Sequence, residues 1–403
     1  MRIVLVYQHF MVSGSGSTKP YDLAKHLVSA GHQVTVVCGR SFLAQGVEVP
    51  GGLISRLKIS GIHILCLGVD YQQKMGFARR IYAFLAFTFL SMLAVAFMPR
   101  FDVLVASSTP LTVGLVGLVS RYLRRRPWVF EIRDLWPECP YQSGYLRSRA
   151  LFRIATFFEE WFYRSAAATS AISKLMVDRL VERGFPPAKL HFIPTGMDVR
   201  AFDVPPDPDF RRSNALDGKW VAVYVGAHGR ANGLDYILEA ATHLRQEEDV
   251  RIVLIGGGTE KDRLLAEADR RGLLGRPLIF LPPVPQECIP PILLACDAML
   301  MLNVDRPGMK ILMPNKFFDY LAAGRPLIVN IRAEVTDWIL SAHCGLLADP
   351  GHPEDFARAV RDLRSNPDLA REMGRRARRL AQESFDRAEL NRQWESLLAQ
   401  VAG

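Results

Sequence analysis

This chain has little that would staple, metallate or export it. Its six cysteines (Cys38, Cys66, Cys139, Cys288, Cys296, Cys344) are scattered and form no C-x-x-C pair. That argues against a disulfide framework or a zinc site and fits a reducing, cytoplasmic setting. The first apolar run, Ile3 to Val6, is too short for a signal peptide and reads as a strand. No complete G-x-G-x-x-G follows it, and no ribose-binding acid stands near Cys38-Gly39-Arg40. Both absences count against a nicotinamide dehydrogenase. There is no nucleic-acid motif and no basic helix with interleaved aromatics, so nucleic acid is not expected as a partner.

What is present is a globular composition, 49% hydrophobic over 403 residues, enough for two full cores. The net charge of +9 is unevenly placed. Residues 1–200 hold 24 Lys+Arg against 12 Asp+Glu, and the remainder holds 26 against 29. A basic first half points to an anionic partner, and an anionic membrane surface fits best.

Strands and helices alternate. Strands are expected at Ile3–Tyr7, His32–Cys38, Ile62–Leu67, Val103–Ala106, Trp128–Glu131 and Phe192–Pro194. The Asp/Pro-rich stretch from Ala201 to Gly218 reads as a linker. The pattern then restarts, with strands at Trp220–Tyr224, Val250–Ile255, Leu278–Leu281, Ala298–Leu302 and Leu327–Asn330. This is an α/β chain of two parallel-sheet domains facing a cleft, 1–200 and 201–385. Residues 386–403 form a C-terminal helix, part of a helical stretch that caps the second domain or crosses back to the first.

One segment interrupts this order. Residues 81–98 carry no charge and are flanked by Arg79, Arg80 and Arg100. Being apolar all round, the segment does not read as an ordinary amphipathic surface helix. Three arrangements compete: a spanning helix, a helix buried in protein, and a helix sunk into the bilayer interface. Each Phe or Leu left in water would forgo roughly 1.5–3 kcal/mol, and the basic surroundings favour the interface.

The residues that carry chemistry fall at strand ends. Pro314-Asn315-Lys316-Phe317-Phe318-Asp319 opens a helix whose N-terminus attracts phosphate, with Lys316 adding a mobile positive charge. Asp319, one turn on, could accept hydrogen bonds from ribose hydroxyls. Gly14 and Gly16 form a close-approach loop after the first strand. Gly226-Ala227-His228-Gly229-Arg230 holds the same place in the second half, and Gly257 lies in a further glycine loop. Glu131, Arg133, Asp134 and Glu138 cluster after Trp128–Phe130, where open α/β sheets bind ligands.

Four stretches together resemble the family 4 glycosyltransferases: Phe130–Glu138, Ile193–Asp198, Gly226–Leu234 and Pro314–Gly324. The likeness is to the bacterial lipopolysaccharide and capsule subgroup of N-acetyl-fucosamine type. It implies the GT-B fold, two Rossmann-like domains, and a retaining enzyme that needs no metal or cofactor. The implied donor is a nucleoside-diphosphate sugar, taken here as a UDP-sugar, bound by the second domain. The implied acceptor is a polyprenyl-diphosphate-linked saccharide met by the first domain at the cytoplasmic face of the inner membrane. On this resemblance Asp319 holds the ribose, and Gly14, Gly16, Gly226 and Gly229 surround the diphosphate and sugar. Arg133 or Asp134 stands where many relatives place a histidine, and Glu131 and Glu138 face the acceptor.

The chain departs from the family in one respect. Ile311 occupies the place of the first acid of the donor motif, and Ala227 and Asn232 lie near the places of the usual Arg and Lys. The charge clamp is expected to be rebuilt from Lys316 and Arg230, aided by His228 and the Asn315 amide. Two other functions compete, a sugar-nucleotide 2-epimerase of the same fold and a non-catalytic membrane-docked assembly partner.

Overall fold

The structure is a computed structural model, and it describes residues 1–13, 18–44, 46–72, 75–142, 146 and 148–403. Gly14 and Gly16 lie outside the described residues. The chain divides into two compact units, Met1–Thr195 with Ala388–Gly403, and Gly196–Arg387.

The first unit is an eight-stranded sheet. Its strands are β1 (Arg2–Tyr7), β2 (Gln33–Gly39), β3 (Ile54–Ile59), β4 (Ile62–Leu67), β5 (Val103–Ser107), β6 (Trp128–Ile132), β7 (Ala168–Ala171) and β8 (Leu190–Phe192). Their order is β3-β4-β2-β1-β5-β6-β7-β8. At the centre Leu5 lies opposite Val36 on one side and Val105 on the other. Helices cover both faces, so these strands read as unbroken Val/Ile/Leu runs. Only β3 is antiparallel, closing on β4 through Ser60 and Gly61. Both residues sit at positive φ (49° and 81°), the backbone a two-residue hairpin loop requires. β8 runs two residues earlier than the expected strand at Phe192–Pro194; Pro194 has no N–H to give a sheet.

The second unit is a six-stranded parallel sheet. It comprises β9 (Trp220–Val225), β10 (Val250–Ile255), β11 (Leu278–Leu281), β12 (Ala298–Met301), β13 (Leu327–Val329) and β14 (Gly345–Leu347), in the order β11-β10-β9-β12-β13-β14. The expected linker is only partly irregular, since Pro208–Ser213 forms a short helix capped by Asp207.

After the helix Pro367–Ser384 the chain enters a last helix, Arg387–Ala402, which belongs to the first unit's core. Leu390, Trp394 and Leu398 pack there with Ile3, Leu27 and Val34. Glu395 pairs with both His26 (2.8 Å) and His32 (3.1 Å).

The uncharged segment is the helix Phe77–Phe97. It is neither wholly buried nor free of a protein face. Ala83, Phe84, Phe87, Thr88, Ser91 and Val95 are buried, while Tyr82, Leu85, Phe89, Leu93 and Phe97 are exposed. Its sequence shows no polar side because the outward face is apolar too.

Candidate active site

In parallel α/β sheets, ligands gather beyond the carboxyl ends of the strands. In the second unit β9 ends at Tyr224-Val225, and Tyr320 holds that end in place. The Tyr320 hydroxyl accepts from the Val225 N–H (2.8 Å) and donates to the Val225 carbonyl (3.2 Å). Tyr320 belongs to the helix Asn315–Ala322, anchored by Phe317 and Phe318 against Phe385. These buried rings leave Asn315, Lys316 and Asp319 on the outer side. Pro314 precedes the helix and, among the described residues, no side chain caps it. Its first amides are therefore open to an anion.

Lys316 lies beside this opening. Its Nζ donates to Tyr224 Oη (2.9 Å) and to Asn232 Oδ1 (3.0 Å) and sits 4.2 Å from the centre of the Tyr224 ring. Burial lowers its pKa from the usual lysine range to about 7. Neutral partners orient the amine without neutralising it. The Gly226 backbone lies against this group, since a Cβ there would stand 3.5 Å from Nζ.

The glycine loops pack on one another. The His228 N–H donates to the Gly257 carbonyl (2.8 Å) and the Gly226 N–H to the Ile255 carbonyl (3.0 Å). A Cβ at Gly256 would come within 1.9 Å of the Gly226 carbonyl oxygen, so that position tolerates no side chain. His228 is fully buried. Burial, with Lys261 and Lys316 nearby, holds its pKa down at about 4, so its ring is neutral. It shapes the loop and offers no charge.

Arg230, expected in the clamp, is 91% exposed in its side chain and directs its guanidinium to Glu260 (3.2 Å). Asp319 lines a cavity of about 310 Å³ with Met197, Phe202, Gln286 and Glu287. Burial raises its pKa to about 6, against the lowering pull of Arg387. Lys316 and Asp319 thus share a helix but face different surroundings.

The first unit has its own polar group at the ends of β1, β5 and β6. Glu131, expected to face the acceptor, is instead fully buried and accepts from Lys19 at 2.8 Å. Burial alone would raise its pKa, but Lys19 and Arg133 outweigh that and hold it at about 2. Asp134 accepts from the Thr109 hydroxyl (3.1 Å), and burial pushes its pKa up. Glu138 pairs with Arg179 (3.1 Å). His9, not singled out by sequence, lies between Phe42 and Tyr71. Burial and Arg133 lower its pKa to about 4.

Sequence reasoning also missed Lys19, Tyr224 and Tyr320. Tyr224 carried no signal because its partner Lys316 is 92 residues away; Asn232, 84 residues from Lys316, stood out only as the place of a missing lysine and not as its partner.

Comparison with known proteins bears on both units. Residues 16–196 match the glycosyl transferase 4-like domain, and residues 207–380 match glycosyl transferases group 1. WcaI of Escherichia coli K12, a colanic acid biosynthesis glycosyl transferase by name, is 28% identical over 45% of this chain and 44% of its own. WbjE of Pseudomonas aeruginosa, a glycosyltransferase by name, is 26% identical over 66% of each. The chain thus spans about half to two thirds of the length of these relatives.

Among solved structures, sucrose-phosphate synthase of Thermosynechococcus elongatus superposes with a TM-score of 0.76 at 17% identity, covering 99% of this chain and 98% of that one. Anabaena HepE in complex with UDP-glucose gives 0.71 at 16% identity, over 99% and 100%. Two domain models met in order and a shared two-sheet architecture place this chain in the GT-B glycosyltransferase family, as a glycosyl transferase 4-like domain followed by a group 1 domain.

Proposed function

We propose that this protein is a retaining glycosyltransferase of bacterial surface polysaccharide synthesis. It moves a sugar, of N-acetylated amino-sugar type, from a UDP-sugar to a polyprenyl-diphosphate-linked saccharide at the cytoplasmic face of the inner membrane. The observation that carries this reading is Lys316, a half-buried amine held by a phenol and an amide beside an open helix N-terminus. The family of the chain supports transfer, and the UDP-glucose complex of HepE supports the donor class.

The chemistry follows from charge. As the bond from sugar to phosphate breaks, the leaving diphosphate gains negative charge. Preorganised donors aimed at those oxygens stabilise it, and each is worth about 3–4 kcal/mol in comparable oxyanion sites. Lys316 and the first amides of the Asn315–Ala322 helix are the groups assigned to this role. A lysine with its pKa near 7 is partly neutral in the empty site; an arriving diphosphate favours its charged form. Asp319 accepts from the ribose hydroxyls. Retention proceeds by attack on the face the diphosphate leaves, and no protein nucleophile is assigned.

A thermal-shift panel of UDP-, GDP- and dTDP-sugars identifies the donor. Transfer of labelled sugar from that donor to lipid extract then tests the activity. Isomerised nucleotide without transfer would replace this reading with the epimerase. Neither product would leave a binding protein.

A further inference from the structure

The exposed stripe of the Phe77–Phe97 helix does not stand alone. A second helix, Arg149–Ser165, also turns an apolar stripe outward: Leu151, Ile154, Phe157 and Trp161. Between the two lies the apolar helical segment Leu111–Leu123, ending in exposed Tyr122 and Leu123. Three contacts bind them together. The Arg124 guanidinium donates to the Ala96 (2.7 Å) and Met98 (2.9 Å) carbonyls at the end of the first helix. The Tyr122 and Trp161 rings lie 6.4 Å apart. Phe162 packs so closely on Gly114 that a Cβ there would come within 2.3 Å. Exposure reaches 85% at Phe97, 59% at Phe89, 64% at Leu123 and 65% at Phe157. A contiguous apolar area of this kind marks a docking surface.

Charge identifies the occupant. Residues 76–130 contain seven arginines and a single acid, Asp102, which pairs with Arg2. Arg79, Arg100, Arg121 and Arg125 are exposed, as are Arg149 and Arg153 on the second helix. A protein partner's surface would call for both signs at the rim. A predominantly basic rim around Phe, Leu, Tyr and Trp, in which the partly exposed Glu160 of the second helix is paired with Arg164, matches the edge of an anionic bilayer. Beside the C-terminal end of the first helix, a cavity of about 660 Å³ is lined by Leu57, Leu93 and Phe97 with Arg56 and Arg100. That combination suits a hydrocarbon chain below an anionic head group.

We propose that the Phe77–Phe97 helix, the Tyr122–Leu123 turn and the Arg149–Ser165 helix form one face that seats the first unit flat on an anionic bilayer, with neither helix crossing it. The inference deepens the proposed function, resting on its membrane-borne acceptor and naming the residues that reach the membrane.

The test is co-sedimentation of the full chain with phosphatidylcholine vesicles, with and without phosphatidylglycerol. UDP binding is measured separately in solution by calorimetry. Wild type partitions to the phosphatidylglycerol vesicles, and added salt weakens the binding. Ile154→Glu with Phe157→Glu lowers partitioning about tenfold or more, as does Leu85→Glu with Phe89→Glu, while UDP binding and thermal unfolding stay at wild-type values. Binding by the Ile154→Glu/Phe157→Glu variant equal to wild type removes the second helix from the face and overturns the proposal. So does equal binding to vesicles lacking phosphatidylglycerol. Self-association without vesicle binding, abolished by the same substitutions, assigns the face to a second copy instead. Loss of UDP binding in wild type would sink the donor reading and leave the vesicle result standing.

Discussion

Each unit places a lysine at the carboxyl ends of its parallel strands, and the two lysines are in opposite states. Lys19 is buried against Glu131 at 2.8 Å. Lys316 meets a phenol and an amide, and among the described residues no carboxylate pairs with it. Lys19 has its anion built in, so its charge serves the fold. Lys316 has only neutral partners, and its pKa is lowered to about 7, so under the proposed function its full charge returns when an anion arrives. A cation is available for ligand binding when its nearest partners are neutral, and its depressed pKa is the cost of holding it that way.

Four measurements would break or sharpen this contrast. The largest effect is expected at Lys19. Lys19→Met leaves the Glu131 carboxylate buried without its partner and should cost about 3–5 kcal/mol, read by urea unfolding. The double variant Lys19→Met/Glu131→Leu should recover most of that. A single variant as stable as wild type would show that the pair does not support the fold.

Next comes Lys316→Ala. Transfer should fall about 10²-fold or more, with the unfolding midpoint shifted by only a few degrees. Near-normal turnover would remove Lys316 from the clamp.

Tyr320→Phe should cost about 1–3 kcal/mol, because the half-buried Val225 N–H loses its acceptor. It should weaken UDP binding as well, since Val225 leads directly into the Gly226 loop. Unchanged binding in a destabilised variant would separate the strand-end clamp from the site.

The smallest effect is on pH dependence, and its sign is the same for the two groups, since both pKa values are lowered in the folded chain, though the pH windows differ. Glu131 has its folded pKa lowered to about 2. Its contribution is present above the ordinary carboxylate range and is lost as pH falls towards 2. Lys316 is lowered to about 7 from 10.5. Between those values the unfolded chain holds the proton that the folded chain has released, so stability rises with pH. Unfolding of wild type and Lys316→Ala between pH 7 and 10 should show that slope in wild type alone. UDP binding near pH 8, followed calorimetrically in buffers of different ionisation enthalpy, should take up a proton in wild type. No uptake would mean that Lys316 does not meet the diphosphate.

Much of the architecture was legible because its signals are local. Val/Ile/Leu runs between polar turns marked the central strands, and Asn315-Lys316 after Pro314 marked a helix start. Other elements left weak traces. β7 is Ala-Thr-Ser-Ala, too small and too mixed to show a period, yet all four residues are buried between β6 and β8. β3 (Ile-Ser-Arg-Leu-Lys-Ile) mixes polar and apolar residues without a strict period, and its turn depends on positive φ at Ser60, where serine gives no strong cue. In the candidate site, Lys316 and Asp319 could be read from one helix. The burial of Glu131 could not, because it depends on Lys19, 112 residues earlier in the chain.

By itself, the sequence determined the alternation of strands and helices, the two-domain plan, the helix start after Pro314 and the basic, apolar character of the first half. All of these follow from neighbouring residues and their spacing. Tertiary structure alone decided which charges are free. It joined Lys19 to Glu131, turned Arg230 to Glu260, set Lys316 on Tyr224 and Asn232, and brought the last helix into the first unit's core. The reason is that burial and pairing set the state of a charge, and both are made by residues far apart in the chain.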